Sequence, residues 1–139
     1  MSHVLQGQIV VVSGGSGGVG QASVRGLGAA GATVSRTGHT VHADSARGPG
    51  TIPATAEART RLGGCGGAVR CDHRHDTDVE ALCRRVQEEQ GRLDRLVNNV
   101  CAMPPEQRPG RVPVGQRPMA LWDHLHTVGR RAHCGGAAA

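Results

Sequence analysis

Residues 9–20 read Ile9-Val10-Val11-Val12-Ser13-Gly14-Gly15-Ser16-Gly17-Gly18-Val19-Gly20. The first four are β-branched and apolar, a short run that is typical of a buried parallel strand. The glycines that follow let the backbone approach a ligand closely, because glycine has no Cβ to obstruct it. If residues 21–30 form a helix, the partial positive charge of its N-terminus favours an anion at the same place. The order of strand, glycines and helix therefore predicts a phosphate-binding turn.

The glycine spacing is a weak signal by itself. It reads G-x3-G-x-G instead of the commoner G-x-G-x-x-G, and the chain has 22 glycines among 139 residues. A flexible Gly/Ser linker is the alternative interpretation. The segment Ala30-Gly31-Ala32-Thr33-Val34 favours the turn, because it is typical of a helix end that leads into a second strand.

The pattern of apolar residues predicts alternating strands and helices. Candidate strands cover 8–13, 32–37, 67–71 and 94–98, and candidate helices cover 18–29, 53–62 and 77–90. The last of these helices has the clearest periodicity, with one apolar face made of Val79, Leu82, Cys83 and Val86. The proline-rich residues 100–118 predict a loop, and residues 130–139 predict a frayed end.

Several segments resemble the short-chain dehydrogenase/reductase family, in order from Gly7 to about Arg131. Residues 7–14 are similar to the family's first strand and cofactor turn, and residues 30–34 to its second strand. Cys71-Asp72 resembles the carboxylate that follows the third strand and contacts adenine. Residues 93–99 resemble the fourth strand with its Asn-Asn-Ala-Gly signature. The resemblance thus spans most of the chain.

The resemblance implies an α/β, Rossmann-like three-layer fold with a partial parallel sheet in the strand order 3-2-1-4. Residues 1–99 would form the dinucleotide-binding half, and residues 100–139 a loop and an irregular C-terminal tail. The fourth strand of that sheet would have an open edge, so self-association through this edge is expected.

Departures from the family pattern concern the chemistry. The signature reads Asn98-Asn99-Val100-Cys101, and Thr127 stands where the family has a catalytic asparagine. The family also uses a serine and a Tyr-x-x-x-Lys pair, in which the tyrosine gives a proton to the substrate alkoxide and the lysine lowers the pKa of the tyrosine. These 139 residues contain no tyrosine and no lysine. The chain is thus expected to be an oxidoreductase fragment that binds the cofactor without turnover and holds no catalytic residue.

The expected cofactor is NADP, with NAD as the alternative. The stretch Arg36-Thr37-Gly38-His39 has no carboxylate to accept the ribose hydroxyls of NAD, and an arginine can pair with the 2′-phosphate of NADP. A solvated surface charge is the alternative interpretation of Arg36. The expected contacts are Gly14, Gly15, Ser16, Gly17, Gly18 and Val19 at the pyrophosphate, Arg36 and His39 at the adenosine ribose, Asp72 and His73 at the adenine, and Asn99 at the second ribose.

Other classes of function are disfavoured. A net charge of +5 suits nucleic acid, but the arginines are scattered and Trp122 is the only aromatic residue that could stack on bases. Cys71, His73, His75, His133 and Cys134 form a candidate metal set, but no C-x-x-C pair is present and we expect no metal. A truncated product that binds nothing is the main rival.

The sequence contains no segment that predicts a membrane span. No basic N-terminal region precedes a long apolar run, so no secretory signal is predicted. We expect a cytoplasmic protein, with peripheral membrane association through its basic surface as the alternative.

Overall fold

The computed structural model describes residues 3–38, 67–101 and 112–138. Four strands form one parallel sheet: β1 (Ile9–Val12), β2 (Thr33–Gly38), β3 (Ala68–Arg70) and β4 (Arg95–Val97). Their order is β3-β2-β1-β4, with Val11 opposite Ser35 on one side and Leu96 on the other. The predicted strand order is confirmed.

Two helices cover opposite faces of the sheet. Helix α1 (Gly18–Ala29) packs Val24 on one face, in a cluster with Val10, Val12, Ala32 and Val34. Helix α2 (Asp76–Gln90) covers the other face, in a cluster with Ile9, Val11, Val69, Cys71, Val79, Leu82 and Val86. Both faces of β1 are buried, as continuous apolar strands of parallel sheets usually are. The predicted three-layer α/β fold is confirmed.

A single carboxylate joins the first and fourth strands at their starting ends. The backbone N–H of Ile9 donates to Asp94 Oδ2 at 2.7 Å, and the Asp94 N–H donates to the Ile9 carbonyl at 2.9 Å. The hydrogen bond from the Ile9 N–H to the carboxylate, together with the nearby Arg92 guanidinium, holds the pKa of Asp94 below its usual value. The reciprocal pair therefore sets the register at which β4 meets β1.

The expectation of an irregular tail over residues 130–139 is wrong for the residues described. After a 3-10 turn (Val114–Gln116), helix α3 (Met119–Leu125), a π-helical segment (His126–Arg131) and helix α4 (Ala132–Ala138) follow without a break. Val128 and Ala132 are buried, and Arg131 forms two hydrogen bonds with the Asp76 carboxylate at the start of α2. Tertiary packing stabilises a helix that the low propensity of its glycines disfavours.

Two other expectations concern parts of the chain that are not described. The candidate helix at 53–62 and the predicted contact residue His39 lie outside the described residues, as does most of the predicted loop 100–118.

Candidate functional site

All four strands end at the same edge of the sheet, and a cleft of about 420 Å³ lies there. In parallel α/β sheets this edge is the usual ligand site, because the loops after the strands meet there. The cleft is lined by Gly14, Ser16, Gly17, Gly38, Cys71, Asp72, His73, Arg74, Asn99, Val100, Cys101, His124 and Val128.

Hydrogen bonds from neighbouring strands hold the glycine turn between β1 and α1. Ser13 Oγ accepts the N–H groups of Asn99 and Val100 at 2.9 and 3.1 Å. The side-chain amide of Asn99 donates to the carbonyls of Ser13 and Gly14 at 3.1 and 3.0 Å. From the other side, Thr37 accepts two turn amides, Gly14 N–H on its hydroxyl at 3.2 Å and Gly15 N–H on its carbonyl at 2.9 Å. The turn is therefore preformed.

Helix α1 begins at this turn without a side-chain cap. Its N-cap residue is Gly17, in an extended conformation, and its first turn contains no acidic residue. The first N–H groups of a helix have no intrahelical acceptor, and no cap side chain satisfies them here. Together with the helix dipole, these donors make the cleft edge at Gly17 suited to an anion.

Arg36 is not a solvated surface charge, so this alternative interpretation of the residue is wrong. The residue is fully buried, and a Cβ on Gly15 would lie 2.7 Å from Arg36 Cβ and 3.2 Å from Val24 Cγ2. The absence of a side chain at Gly15 is what allows Arg36 to pass beneath the turn. Since Arg36 lies on the α1 face of β2 with Val34, its side chain supports the turn from below.

The acidic side of the cleft is formed by the loop after β3. Arg74 Nε donates to Asp72 Oδ1 at 2.9 Å, and this bond lowers the pKa of the Asp72 carboxyl. Asp72 N–H in turn donates to Asp78 Oδ2 at 2.9 Å. The Asp72 carboxylate is thus ionised and held in place, and both of its oxygens accept hydrogen bonds from Arg74.

His73 lies beneath the cleft, 6% exposed, with its Nε2 2.7 Å from Thr37 Oγ1. Burial lowers the pKa of its imidazole from the ordinary value of 6.5. The ring is therefore neutral at pH 7.

The structure brings together about half of the predicted contact residues. Gly14, Ser16, Gly17, Asp72, His73 and Asn99 line the cleft. Gly15 packs on Arg36 instead, and Val19 is 75% exposed on the first turn of α1. The cleft is also lined by three residues that the sequence did not predict as cofactor contacts: Cys101, His124 and Val128. No local pattern marks His124 or Val128, because a helix distant in sequence carries them there.

Thr127 lies outside the cleft. Its hydroxyl donates to the Asp123 carbonyl at 2.8 Å, within the helix. The Thr127 hydroxyl is therefore not directed into the cleft, where the family's asparagine would act.

The candidate metal set is not assembled. Within residues 3–38, 67–101 and 112–138, no group of three His, Cys, Asp or Glu side chains is placed to hold a metal ion. Cys71 and His73 are instead part of the buried structure below the cleft.

A second cavity, of about 670 Å³, lies between α2 and β4. Apolar side chains of Val79, Leu82, Val86 and Leu96 form much of its wall. It lies on the α2 face of the sheet, away from the start of α1.

No described helix is both long and apolar enough to cross a bilayer.

Comparison with known proteins agrees with this geometry. Residues 8–124 match the model of a family described as short chain dehydrogenase. The mouse protein named Dehydrogenase/reductase SDR family member 1 is 37% identical over 131 residues, which cover 93% of this chain and 39% of the mouse protein. The chain therefore spans about two fifths of the length of that relative.

Solved structures are similar along nearly the whole chain. A putative dehydrogenase from Xanthomonas campestris superposes with a TM-score of 0.84 at 29% identity, covering 98% of this chain and 47% of the other. A metagenomic short-chain oxidoreductase solved in complex with NADP superposes with a TM-score of 0.79 at 31% identity, covering 98% and 56%. Both likenesses include the sheet and the helices around the cleft.

Proposed function

We propose, since this chain belongs to the short chain dehydrogenase family, that its cleft binds a nicotinamide dinucleotide with the pyrophosphate at the glycine turn. The observation that carries the proposal is the uncapped N-terminus of α1. Gly17 offers no side chain to the first N–H groups of the helix, and Gly17 itself, which directly precedes them, lines the cleft. A pyrophosphate would accept them and would lie in the favourable field of the helix dipole.

The other cleft residues would bind the rest of the cofactor. Asp72 and His73 would lie at the adenine and Asn99 at the second ribose. Because the Asn99 amide nitrogen already donates to Ser13 and Gly14, its carbonyl oxygen is the side-chain atom that can accept a ribose hydroxyl. Arg36 and His39 would lie near the adenosine ribose, with Arg36 acting through the turn above it.

NADP is the cofactor that we propose, with NAD as the alternative. The support is the stretch Arg36–His39, in which no carboxylate can accept the ribose hydroxyls of NAD. The solved oxidoreductase that contains NADP is a similar protein. Because Arg36 is buried, a 2′-phosphate contact would require its side chain to leave the position beneath Gly15.

Binding without turnover is the activity that we propose for these 139 residues. Reduction of a carbonyl leaves an alkoxide that needs a proton donor tuned near neutral pH. Neither tyrosine nor lysine is present to form the family's donor pair, and the Thr127 hydroxyl is bonded within its own helix. The rival proposal is a chain that binds nothing.

A paired substitution on α1 tests the binding. Gly17→Asp places a carboxylate at the N-cap, where it would accept the same N–H groups as the pyrophosphate and repel it. We expect NADPH binding to be lost while the helix becomes more stable by about 0.5–1 kcal/mol. Gly26→Ala is the control, since Gly26 is exposed with open space around it, and it should stabilise the helix similarly without changing the affinity.

Cofactor fluorescence and thermal unfolding are measured together for the three proteins. A ligand at a hundred times its Kd should stabilise the parent chain by about 2.7 kcal/mol. No response of the parent chain to NADPH or NADH in either signal contradicts the proposal and favours the rival. Equal binding by Gly17→Asp would contradict the placement of the pyrophosphate at α1.

A further inference from the structure

His73 is connected to the phosphate-binding turn through one side chain. Its Nε2 lies 2.7 Å from the Thr37 hydroxyl, and that hydroxyl accepts the Gly14 N–H at 3.2 Å. The Thr37 carbonyl accepts the neighbouring Gly15 N–H at 2.9 Å. Thr37 is fully buried and His73 nearly so, which leaves both side chains little freedom to rearrange. The His73 imidazole therefore fixes the Thr37 hydroxyl, and this hydroxyl holds Gly14 in the glycine turn.

The protonation state of the ring decides the direction of these bonds. With a neutral ring whose proton is on Nδ1, the Thr37 hydroxyl can donate to Nε2 while it accepts from Gly14. A protonated ring has a donor at Nε2, so Thr37 Oγ1 would have to accept two donors and turn its own hydrogen elsewhere. The Nδ1 proton is present in both of these states, and among the described residues His73 Nδ1 is buried without a hydrogen-bond partner, so the two states differ in the direction of the bond at Nε2.

We propose that neutral His73 holds the turn in its pyrophosphate-binding conformation, and that protonation of the ring from solvent weakens dinucleotide binding. This inference rests on the proposed function and gives His73, besides its place at the adenine, a positioning role that acts through Thr37. Affinity should therefore fall as pH falls.

Charges around His73 come from three elements and act in opposite directions. Asp72 in its own loop and Asp78 on α2 favour the protonated ring, whereas His133 on α4 opposes it. Burial opposes protonation more strongly than any of these, so the pKa of His73 lies below 6.5. The change in affinity should thus occur on the acidic side of pH 6.5.

The first experiment needs no ligand. In amide NMR spectra recorded from about pH 7.5 down to the lowest pH at which the chain stays folded, the Gly14 and Gly15 resonances should titrate with the same midpoint as the His73 ring. The Thr37→Val variant keeps the side-chain shape but removes the hydroxyl, and should abolish this shared titration. Turn amides that do not follow the ring would overturn the inference, whether or not a dinucleotide binds.

The second experiment measures dinucleotide affinity across the same range at constant ionic strength. NAD⁺ is the probe, because its pyrophosphate keeps the same charge, whereas the 2′-phosphate of NADP titrates near this range. Loss of about one hydrogen bond should weaken binding about fivefold towards acid pH. The His73→Gln variant should bind with little pH dependence, since glutamine can still bond Thr37 but does not titrate here.

His75→Gln is the matched control. His75 lies two residues away with a 66% exposed side chain, and its variant should keep the pH dependence of the parent chain. A dinucleotide affinity that stays constant or rises towards acid pH would overturn this inference but not the proposed function. A rise is the result expected if the bound pyrophosphate attracts a protonated ring. Absence of both NAD⁺ and NADPH binding at every pH would overturn the proposed function, while the amide titration would still report on the connection between His73 and Gly14.

Discussion

Burial decides what individual polar residues in this chain can do. Arg36 lies on the same face of β2 as Val34 and is fully buried beneath Gly15, where it supports the turn. Asn99 lines the cleft but uses its amide nitrogen to bond Ser13 and Gly14. Residue type and spacing correctly indicated a glycine turn between β1 and α1, but they could not show which polar atoms the protein itself engages.

Cys71 provides a test of burial at the scale of one residue. Desolvation, with Asp78 and Asp72 as further causes, raises the pKa of its thiol to about 12 from its ordinary value of 9.0. A thiol held neutral in the folded state stabilises the fold below about pH 9, because only the unfolded chain ionises above that pH. This stability should be lost progressively between about pH 9 and about pH 12.

Urea unfolding between about pH 8 and about pH 11 measures this loss. The absence of lysine and tyrosine removes the side chains that usually titrate in this range, so the cysteines dominate the slope. Cys71→Ala should flatten the pH dependence, although it lowers the stability itself. Cys101→Ser, at an exposed position, is the control and should leave the slope close to that of the parent chain. Equal slopes for the parent and Cys71→Ala would refute this account.

The turn between β1 and α1 shows how an element depends on distant parts of the chain. Its glycine content is readable in the sequence, and the helix at 18–29 begins and ends as predicted. The bonds that shape the turn come from Thr37 on β2 and Asn99 after β4, which lie 23 and 85 residues from Gly14 in the chain. These partners become visible only when the strands are placed side by side.

Gly20→Ala tests the close packing of this element. A Cβ at Gly20 would lie 2.2 Å from the Gly14 carbonyl oxygen and 2.5 Å from Asn99 Nδ2, so the turn or the helix must move. We expect a loss of about 1–3 kcal/mol in the free energy of unfolding, together with weaker NADPH binding. Denaturant unfolding of this variant is compared with that of Gly26→Ala, which adds the same methyl group in open space. A stability equal to that of Gly26→Ala would contradict the packing argument.

At the scale of the molecule, the sheet has an order that leaves β4 at one edge of the described strands. The resemblance to the family predicted this order. An edge strand presents backbone donors and acceptors that can pair with another chain. Arg95 is an exposed charge on this edge, and charges of this kind oppose such pairing.

We predict weak self-association through β4. Sedimentation velocity should show a sedimentation coefficient that rises with protein concentration. Hydrogen exchange should become slower at the β4 amides at high concentration, while the amides of α1 exchange at unchanged rates. A single monomeric species with unchanged β4 exchange at all concentrations would exclude association by this route.

The sequence by itself determined the succession of strands and helices up to residue 99 within the described part of the chain, because apolar periodicity and glycine positions are local properties. It also determined the absence of tyrosine and lysine, and with it the expected lack of the family's proton donor. Only the tertiary structure decided the helical course of residues 119–138, the burial of Arg36 and the link from His73 through Thr37 to the turn. These features depend on contacts between residues far apart in the chain, which local propensity does not encode.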